Sequence, residues 1–179
     1  MSLLALTVPI SRGEVAFSLV SRLAYRNRVP ISEFLVEMGI PLPRLLIGEE
    51  RALARLADIS GTSLEDLCRS TPREIRAGNW SFLGESFTAE AFRSTCVRGC
   101  RACLRDDMNN GFGEGIIRGI WMLDLVRICP QHGTRLEPLW QIYDRFDRHD
   151  SAVRLQKLWK AELPGKTVED LAESTKLDQ

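Results

Sequence analysis

Apolar residues recur at helical spacing through the first part of the chain. Phe17, Val20 and Ala24 lie on one face of a predicted helix, and Ser11 and Glu14 have the spacing of a capping box at its start. Similar periodicity, interrupted by proline and glycine, continues beyond this helix. The first ninety residues are therefore predicted to be helical.

Two of the predicted helices form a helix-turn-helix pattern. Ala57, Gly61 and Leu67 occupy the places where this motif has a small packing residue, a turn glycine and a core apolar residue. A plain helical hairpin shows the same pattern. Glu65 and Asp66 lie in the first turn of the second helix, where they would repel DNA phosphates, so both interpretations stay open.

Two short runs further along carry the strongest chemical signal. Cys100 and Cys103 form a C-x-x-C pair, and Cys129 and His132 form a C-x-x-H pair downstream. Two turns of this spacing can aim four side chains at one tetrahedral ion, and a closed Cys3His shell is typical of structural zinc. The sequence therefore predicts one Zn²⁺ bound by these four residues.

Other interpretations of the cysteines stay open. A single C-x-x-C pair also occurs in redox proteins, and buried thiols beside a hydrogen-bonded histidine would show the same residues. Cys96 lies four residues before Cys100 and could take one ligand place. Cys68 lies in a predicted helix and is interpreted as a small core residue.

These patterns predict a mainly α chain in three parts. Residues 1–92 form a helical domain with a helix-turn-helix-like segment, residues 93–138 a small zinc-bound β-hairpin module, and residues 139–179 the C-terminal helices. A short helical turn at residues 71–74 belongs to the first part, and a strand at residues 121–128 to the second. The metal supplies stability that so small a module lacks.

Composition argues against a membrane protein and against a secreted protein. The 179 residues are 44% hydrophobic, have a formal net charge of zero and contain no apolar run long enough to span a membrane. The first residues lack the basic start and the cleavage site of a signal peptide. Five cysteines with metal-ligand spacing favour a reducing cytoplasm over a disulfide framework.

Arginines cluster locally despite the zero net charge. Residues 93–135 hold seven arginines against four acidic residues. Because strong nonspecific binding to nucleic acid needs a positive field, only weak contacts, or contacts within a complex, are predicted. The candidate phosphate-binding side chains are Arg69, Arg73, Arg76, Arg98, Arg101, Arg105 and Arg127.

Aromatic residues after Pro138 form a candidate partner surface. Trp140, Tyr143 and Phe146 recur at helical spacing, and Trp159 follows on another apolar stripe. Such residues are either core residues or anchors of an interface. We expect contact with a partner protein or with a second copy of the chain, and core packing is the alternative.

The order of these motifs resembles the TniQ family of transposition target-selection proteins. The run EVAFSLVSRLA from Glu14 to Ala24 is similar to the family's E-S-x-x-S-W-x-x-R-L-A, and CRACL, Trp121 and CPQHGTRL follow in the family's order. The resemblance implies the same four zinc ligands. Many relatives continue with a further C-x-x-C after the histidine, which this chain lacks, so a second zinc site is not predicted.

Membership of this family would imply a non-enzymatic adaptor in DNA transposition. Its members link a target site, or a targeting complex, to an AAA+ transposition ATPase (TnsC/TniB-like). That ATPase, DNA and a second copy of the chain are thus the expected partners. A helix-turn-helix transcriptional regulator with a structural zinc module is the alternative. An enzyme is not expected, because four protein ligands leave zinc no open position and the chain has only two histidines.

Overall fold

Helices predominate over strands in the computed structural model, which describes residues 4, 6–92, 94–109, 114–141 and 149–162. The α-helices are α1 (Ala16–Arg26), α2 (Ile31–Glu37), α3 (Leu42–Leu46), α4 (Glu50–Ser60), α5 (Leu64–Ser70), α6 (Arg101–Asn109) and α7 (Ser151–Glu162). The strands are β1 (Arg73–Arg76), β2 (Asn79–Phe82), β3 (Glu85–Thr88), β4 (Cys96–Gly99) and β5 (Glu137–Gln141). The mainly α prediction is confirmed in part, since one sheet lies where only helices are predicted.

Helix α1 begins at Ala16, two residues after the predicted capping box. Glu14 accepts a hydrogen bond from the Ser11 N–H at 3.0 Å, but no local side chain caps the helix. Instead, Thr71 Oγ1 accepts a hydrogen bond from the Ala16 N–H at 3.0 Å, although the two residues are 55 positions apart. The start of α1 is therefore satisfied by a tertiary contact.

Helices α4 and α5 form the predicted hairpin. Gly61 follows α4 with φ of +71°, a left-handed conformation that glycine adopts without steric cost. Ser63 Oγ accepts a hydrogen bond from the Asp66 N–H at 3.4 Å and caps α5. Leu67 is fully buried in the core formed by the N-terminal helices, whereas Glu65 is exposed.

A three-stranded antiparallel sheet follows α5, where the sequence predicts a short helical turn at residues 71–74. The strand order is β1–β2–β3, and Trp80 lies opposite Phe87. The helical prediction is wrong because Thr71 caps α1, and turns at Gly78 and Gly84 return the chain on itself. Both glycines have positive φ, as tight hairpin turns require.

Strands β4 and β5 pair although they are far apart in the chain. Cys96 lies opposite Gln141, and Gly99 lies opposite Glu137. The predicted boundary after residue 138 therefore falls inside β5. Trp140 lies on this strand rather than on the predicted helix, because the backbone of β5 completes the pairing of β4.

Residues 121–128 do not form the predicted strand. Gly119–Met122 is a 3-10 helix, and within the predicted range Ile128 forms an isolated β-bridge with Arg135. Gly119 packs so closely that a Cβ there would lie 2.0 Å from the Ser70 carbonyl oxygen. The backbone of this segment is therefore fitted against the end of α5 instead of a partner strand.

Helix α1 contributes to two hydrophobic cores. Leu19 and Leu23 pack with α2–α5 in the N-terminal core. Phe17 packs with the Cys-rich region and with Leu155 of α7 in the second core. Helix α1 thus couples the N-terminal helices to the rest of the chain. Within the described ranges, every helix is too short or too polar to cross a bilayer.

Candidate metal centre

The four predicted ligand atoms converge at one point. Cys100 follows β4, Cys103 lies in the first turn of α6, and Cys129 and His132 come from one tight turn. Nδ1 of His132 lies 3.2–3.8 Å from all three cysteine sulfurs. All four ligand atoms lie within 4.8 Å of one another. Donors about 2.3 Å from one tetrahedral ion stand about 3.8 Å apart, so these residues fit a metal ion.

Backbone hydrogen bonds shape the second ligand pair into a hairpin over residues 127–136, here called the ligand hairpin. The Gly133 N–H donates to the Cys129 carbonyl at 2.9 Å, and the Cys129 N–H donates to the Thr134 carbonyl at 2.7 Å. Gly133 has φ of +64°, which favours glycine. The C-P-x-H-G run thus folds into a turn that presents both of its ligands to the first pair.

Asp106 orients the histidine ligand. Its Oδ2 atom lies 3.1 Å from Nε2 of His132, so the ring proton belongs on Nε2 and the lone pair of Nδ1 faces the sulfurs. Thr134 Oγ1 lies 3.3 Å from the Cys100 sulfur. Sequence reasoning missed Asp106. The available signal is its position three residues after Cys103, about one helical turn along α6.

The thiols of the first pair differ in acidity. Burial raises the pKa of the Cys100 thiol, but hydrogen bonds from Thr134 and the Cys103 N–H outweigh it and lower the pKa to about 7. Burial raises the pKa of the Cys103 thiol. A bound cation favours the thiolate of both residues, so metal binding would release protons.

Arg118 and Asp107 form a bidentate ion pair close to the ligands. Their two nitrogen–oxygen distances are 2.9 and 2.7 Å. The guanidinium carbon of Arg118 lies 5.0 Å from the centroid of the Trp121 ring. The Arg118 backbone also bridges to Glu14, which ties this region to the start of α1.

The two remaining cysteines lie outside the cluster. Cys96 is on β4, where its sulfur lies 3.9 Å from Ser94 Oγ, and it does not belong to the converging group. Cys68 is partly buried against the N-terminal core, which agrees with its interpretation as a core residue. The geometry therefore favours the predicted four ligands over a set that includes Cys96.

The seven candidate phosphate-binding arginines are dispersed over several elements. Arg98 is 5% exposed and pairs with Asp124, so its guanidinium lies inside the fold. Arg76 and Arg105 are exposed. The other ion pairs are Arg69–Glu65 (2.6 Å), Arg73–Glu50 (3.4 Å), Arg101–Glu137 (3.1 Å) and Arg127–Asp124 (3.0 Å). Five of the seven candidate arginines are thus ion-paired, and their binding to phosphate stays a prediction.

The predicted aromatic surface is divided between elements. Trp140 is 9% exposed and belongs to the second core. Trp159 is partly buried on α7 and lines a small pocket with Met108 of α6. Tyr143 and Phe146 lie outside the described residues. Trp159 therefore stays a candidate for partner contact, and Trp140 has a core role.

A buried polar network joins α1 to residue 114 and the segment that follows it. Arg22 donates to Glu14 at 2.8 Å and to Glu114 at 3.2 Å. Ser18 Oγ donates to Glu14 at 3.0 Å and accepts a hydrogen bond from the Ile117 N–H at 3.1 Å. Ser18 and Arg22 lie four residues apart on one face of α1, and Glu14 precedes the helix, four residues before Ser18. Sequence reasoning assigned Glu14 to a cap and missed this network.

Comparison with protein-family models gives a match that spans both of these features. The family model for TniQ matches residues 5–136, more than half of the chain. The match includes all four converging ligands and every member of the buried polar network. No curated protein and no solved structure matches the chain.

Proposed function

The chain belongs to the TniQ family, and from that premise we propose that it is a non-enzymatic adaptor in DNA transposition. In this role it links a target site, or a targeting complex, to an AAA+ transposition ATPase. The family match over residues 5–136 is the observation that carries the proposal. The metal cluster supports it, because four protein ligands fill a tetrahedral shell, whereas a catalytic metal keeps one position open.

We propose that the ion is Zn²⁺ and that its role is structural. Three sulfurs and one imidazole nitrogen are the donor set that zinc favours in structural sites. Metal analysis of the purified chain tests this assignment, with one zinc per chain expected. Purification without zinc, or with two equivalents per chain, would contradict it.

Co-purification with a TnsC/TniB-like AAA+ ATPase tests the adaptor role. The tagged full-length chain is mixed with the ATPase in the presence of ATP and DNA. We expect a complex that survives gel filtration. The Cys129→Ser variant is the matched control, and it should lose zinc and the complex together. Lack of a complex with the zinc-loaded wild type would contradict the proposal.

The α4–α5 hairpin favours a second candidate function, a helix-turn-helix transcriptional regulator. Its charges weaken that candidate. Residues 62–92 contain five acidic residues against three arginines, and two of the acids lie exposed in the first turn of α5. Such a surface attracts phosphate poorly, and we propose salt-sensitive DNA contacts of low sequence preference within an assembled complex. Tight binding to one duplex that resists a scrambled competitor would favour the regulator.

A further inference from the structure

We propose that a patch on and beside the ligand hairpin docks an acidic, amphipathic segment of a protein partner. The patch comprises Leu125, Ile128, Arg105 and Arg135, and it is called the docking patch below. The proposal rests on the adaptor function, since it names the surface through which the partner would be held. A bound metal ion would hold the ligand hairpin in place, and the hairpin in turn exposes the docking patch.

Two large aliphatic side chains of the docking patch face solvent. Leu125 is 67% exposed and Ile128 is 53% exposed. Their neighbours Cys129 and Leu136 are buried, so the hairpin has one covered face and one open face. Burial of apolar surface contributes about 25 cal/mol per Å² to the free energy of association. Covering these two side chains would therefore favour the binding of a partner.

The charge balance of the region points to an acidic partner. All five carboxylates among the described residues from 96 to 141 already have cationic or histidine partners; the pairs are Asp106–His132, Asp107–Arg118, Glu114–Arg22, Asp124–Arg98 and Glu137–Arg101. Arg105 and Arg135 are exposed, and within the described part of the chain they have no ion-pair partner. Arg105 and Arg135 therefore present two exposed guanidiniums to which carboxylates of a partner can bind.

The fold places the apolar side chain of Ile128 beside the basic side chain of Arg135. Ile128 and Arg135 are partners in an antiparallel β-bridge, so their side chains project from the same face, with Cβ atoms about 5 Å apart. Arg105 precedes Asp106, whose carboxylate contacts His132 of the same hairpin. A carboxylate on a guanidinium with an aliphatic side chain on Ile128 matches this arrangement. A phosphate backbone would engage the arginines but leave the aliphatic side chains uncovered.

Binding of the AAA+ ATPase to the immobilised full-length chain tests the docking patch. The double variant Ile128→Ser/Arg135→Glu should bind about tenfold more weakly or worse, because it removes the apolar anchor and reverses the charge. Its zinc content and circular dichroism should match the wild type. The matched control Val36→Ser/Arg51→Glu makes the same chemical changes at exposed positions of α2 and α4 and should bind normally.

The possible results distinguish a failure of the docking-patch proposal from a failure of the adaptor proposal. Equal binding by the double variant and the wild type would overturn the patch and leave the adaptor role intact. Failure of the zinc-loaded wild type to bind would overturn both. Loss of binding to a short DNA duplex, with ATPase binding unchanged, would assign the arginines to nucleic acid instead. If the double variant loses zinc, Arg105→Glu on α6 replaces it, and unchanged ATPase binding by that variant would overturn the patch.

Discussion

The carboxylate of Asp106 lies 3.1 Å from Nε2 of His132, while Nδ1 of the same ring faces the three cysteine sulfurs. Helix α6 therefore supplies both a ligand, Cys103, and the group that orients a second ligand. The C-x-x-C and C-x-x-H pairs are thus joined by a hydrogen bond as well as by the ion that they could share.

Removal of this carboxylate should weaken metal binding without abolishing it. Asp106→Ala is expected to lower the metal affinity about 10- to 100-fold, because the imidazole loses the partner that fixes its tautomer and orientation. Competition with a chromophoric chelator measures the change. Asp58→Asn, at an exposed position of α4, is the control and should keep the wild-type affinity. Equal affinity for all three proteins would show that Asp106 has no role at the site.

Loss of a ligand should have a larger and regional effect. A structural zinc contributes on the order of 10 kcal/mol to folding, so Cys129→Ser should unfold the metal region while much of the N-terminal core stays formed. Hydrogen exchange should show fast exchange in β4, β5 and α6 and continued protection in α4. Cys96→Ser is the control, since Cys96 lies outside the cluster. If Cys96→Ser lost zinc instead, Cys96 would be one of the ligands.

Arg22 should be the most sensitive position of the polar network. It is 1% exposed and contacts both Glu14 and Glu114. Arg22→Met would leave two buried carboxylates without this partner and should cost about 3–5 kcal/mol in the free energy of unfolding at neutral pH. Arg26→Met removes a 47%-exposed partner of Glu114 and should cost less than about 1 kcal/mol. Denaturant titration measures both, and similar losses would contradict the prediction.

The loss in Arg22→Met should shrink as the pH falls. Burial raises the pKa of Glu14, and Arg22 opposes that rise. Without Arg22 the pKa of Glu14 in the folded state rises further. At pH values above the usual carboxyl pKa, the folded variant therefore binds more protons than the unfolded chain. Relative to the wild type, the free energy of unfolding of the variant therefore falls as the pH rises from the usual carboxyl pKa to the raised pKa of Glu14. A difference between the two proteins that stays constant between about pH 5.5 and pH 8 would contradict this explanation.

The two tryptophans of the predicted partner surface should behave differently. Trp140→Ala removes a side chain from the second core and should cost about 3–5 kcal/mol of stability. Trp159→Ala changes a partly exposed residue of α7, so its main expected effect is weaker association with the ATPase or with a second copy of the chain. Denaturant titration and light scattering separate the two effects. Association unchanged in Trp159→Ala would remove this residue from the partner surface.

The features that the sequence predicts correctly depend on residues close together in the chain. One of them is the convergence of the four candidate metal ligands. These come from two runs of four residues, and a C-x-x-C or C-x-x-H spacing by itself limits how the side chains can point. The α4–α5 hairpin likewise follows from Gly61 and Ser63, which act on their own helix ends. The predicted stripe of Trp140, Tyr143 and Phe146 fails at Trp140, because a helical spacing of aromatic residues can also occur where a strand ends.

The sequence by itself determined the family, most of the helices and which four Cys and His side chains converge, because spacing, caps and turn glycines act locally. Tertiary structure alone decided that Thr71 caps α1, that Asp106 orients His132, and that β5 pairs with β4. It also decided that Glu14 and Arg22 are buried together rather than solvated. Each of these contacts either joins distant segments or depends on which helical face is covered. Local patterns do not specify either property, since both are set by the packing of the whole chain.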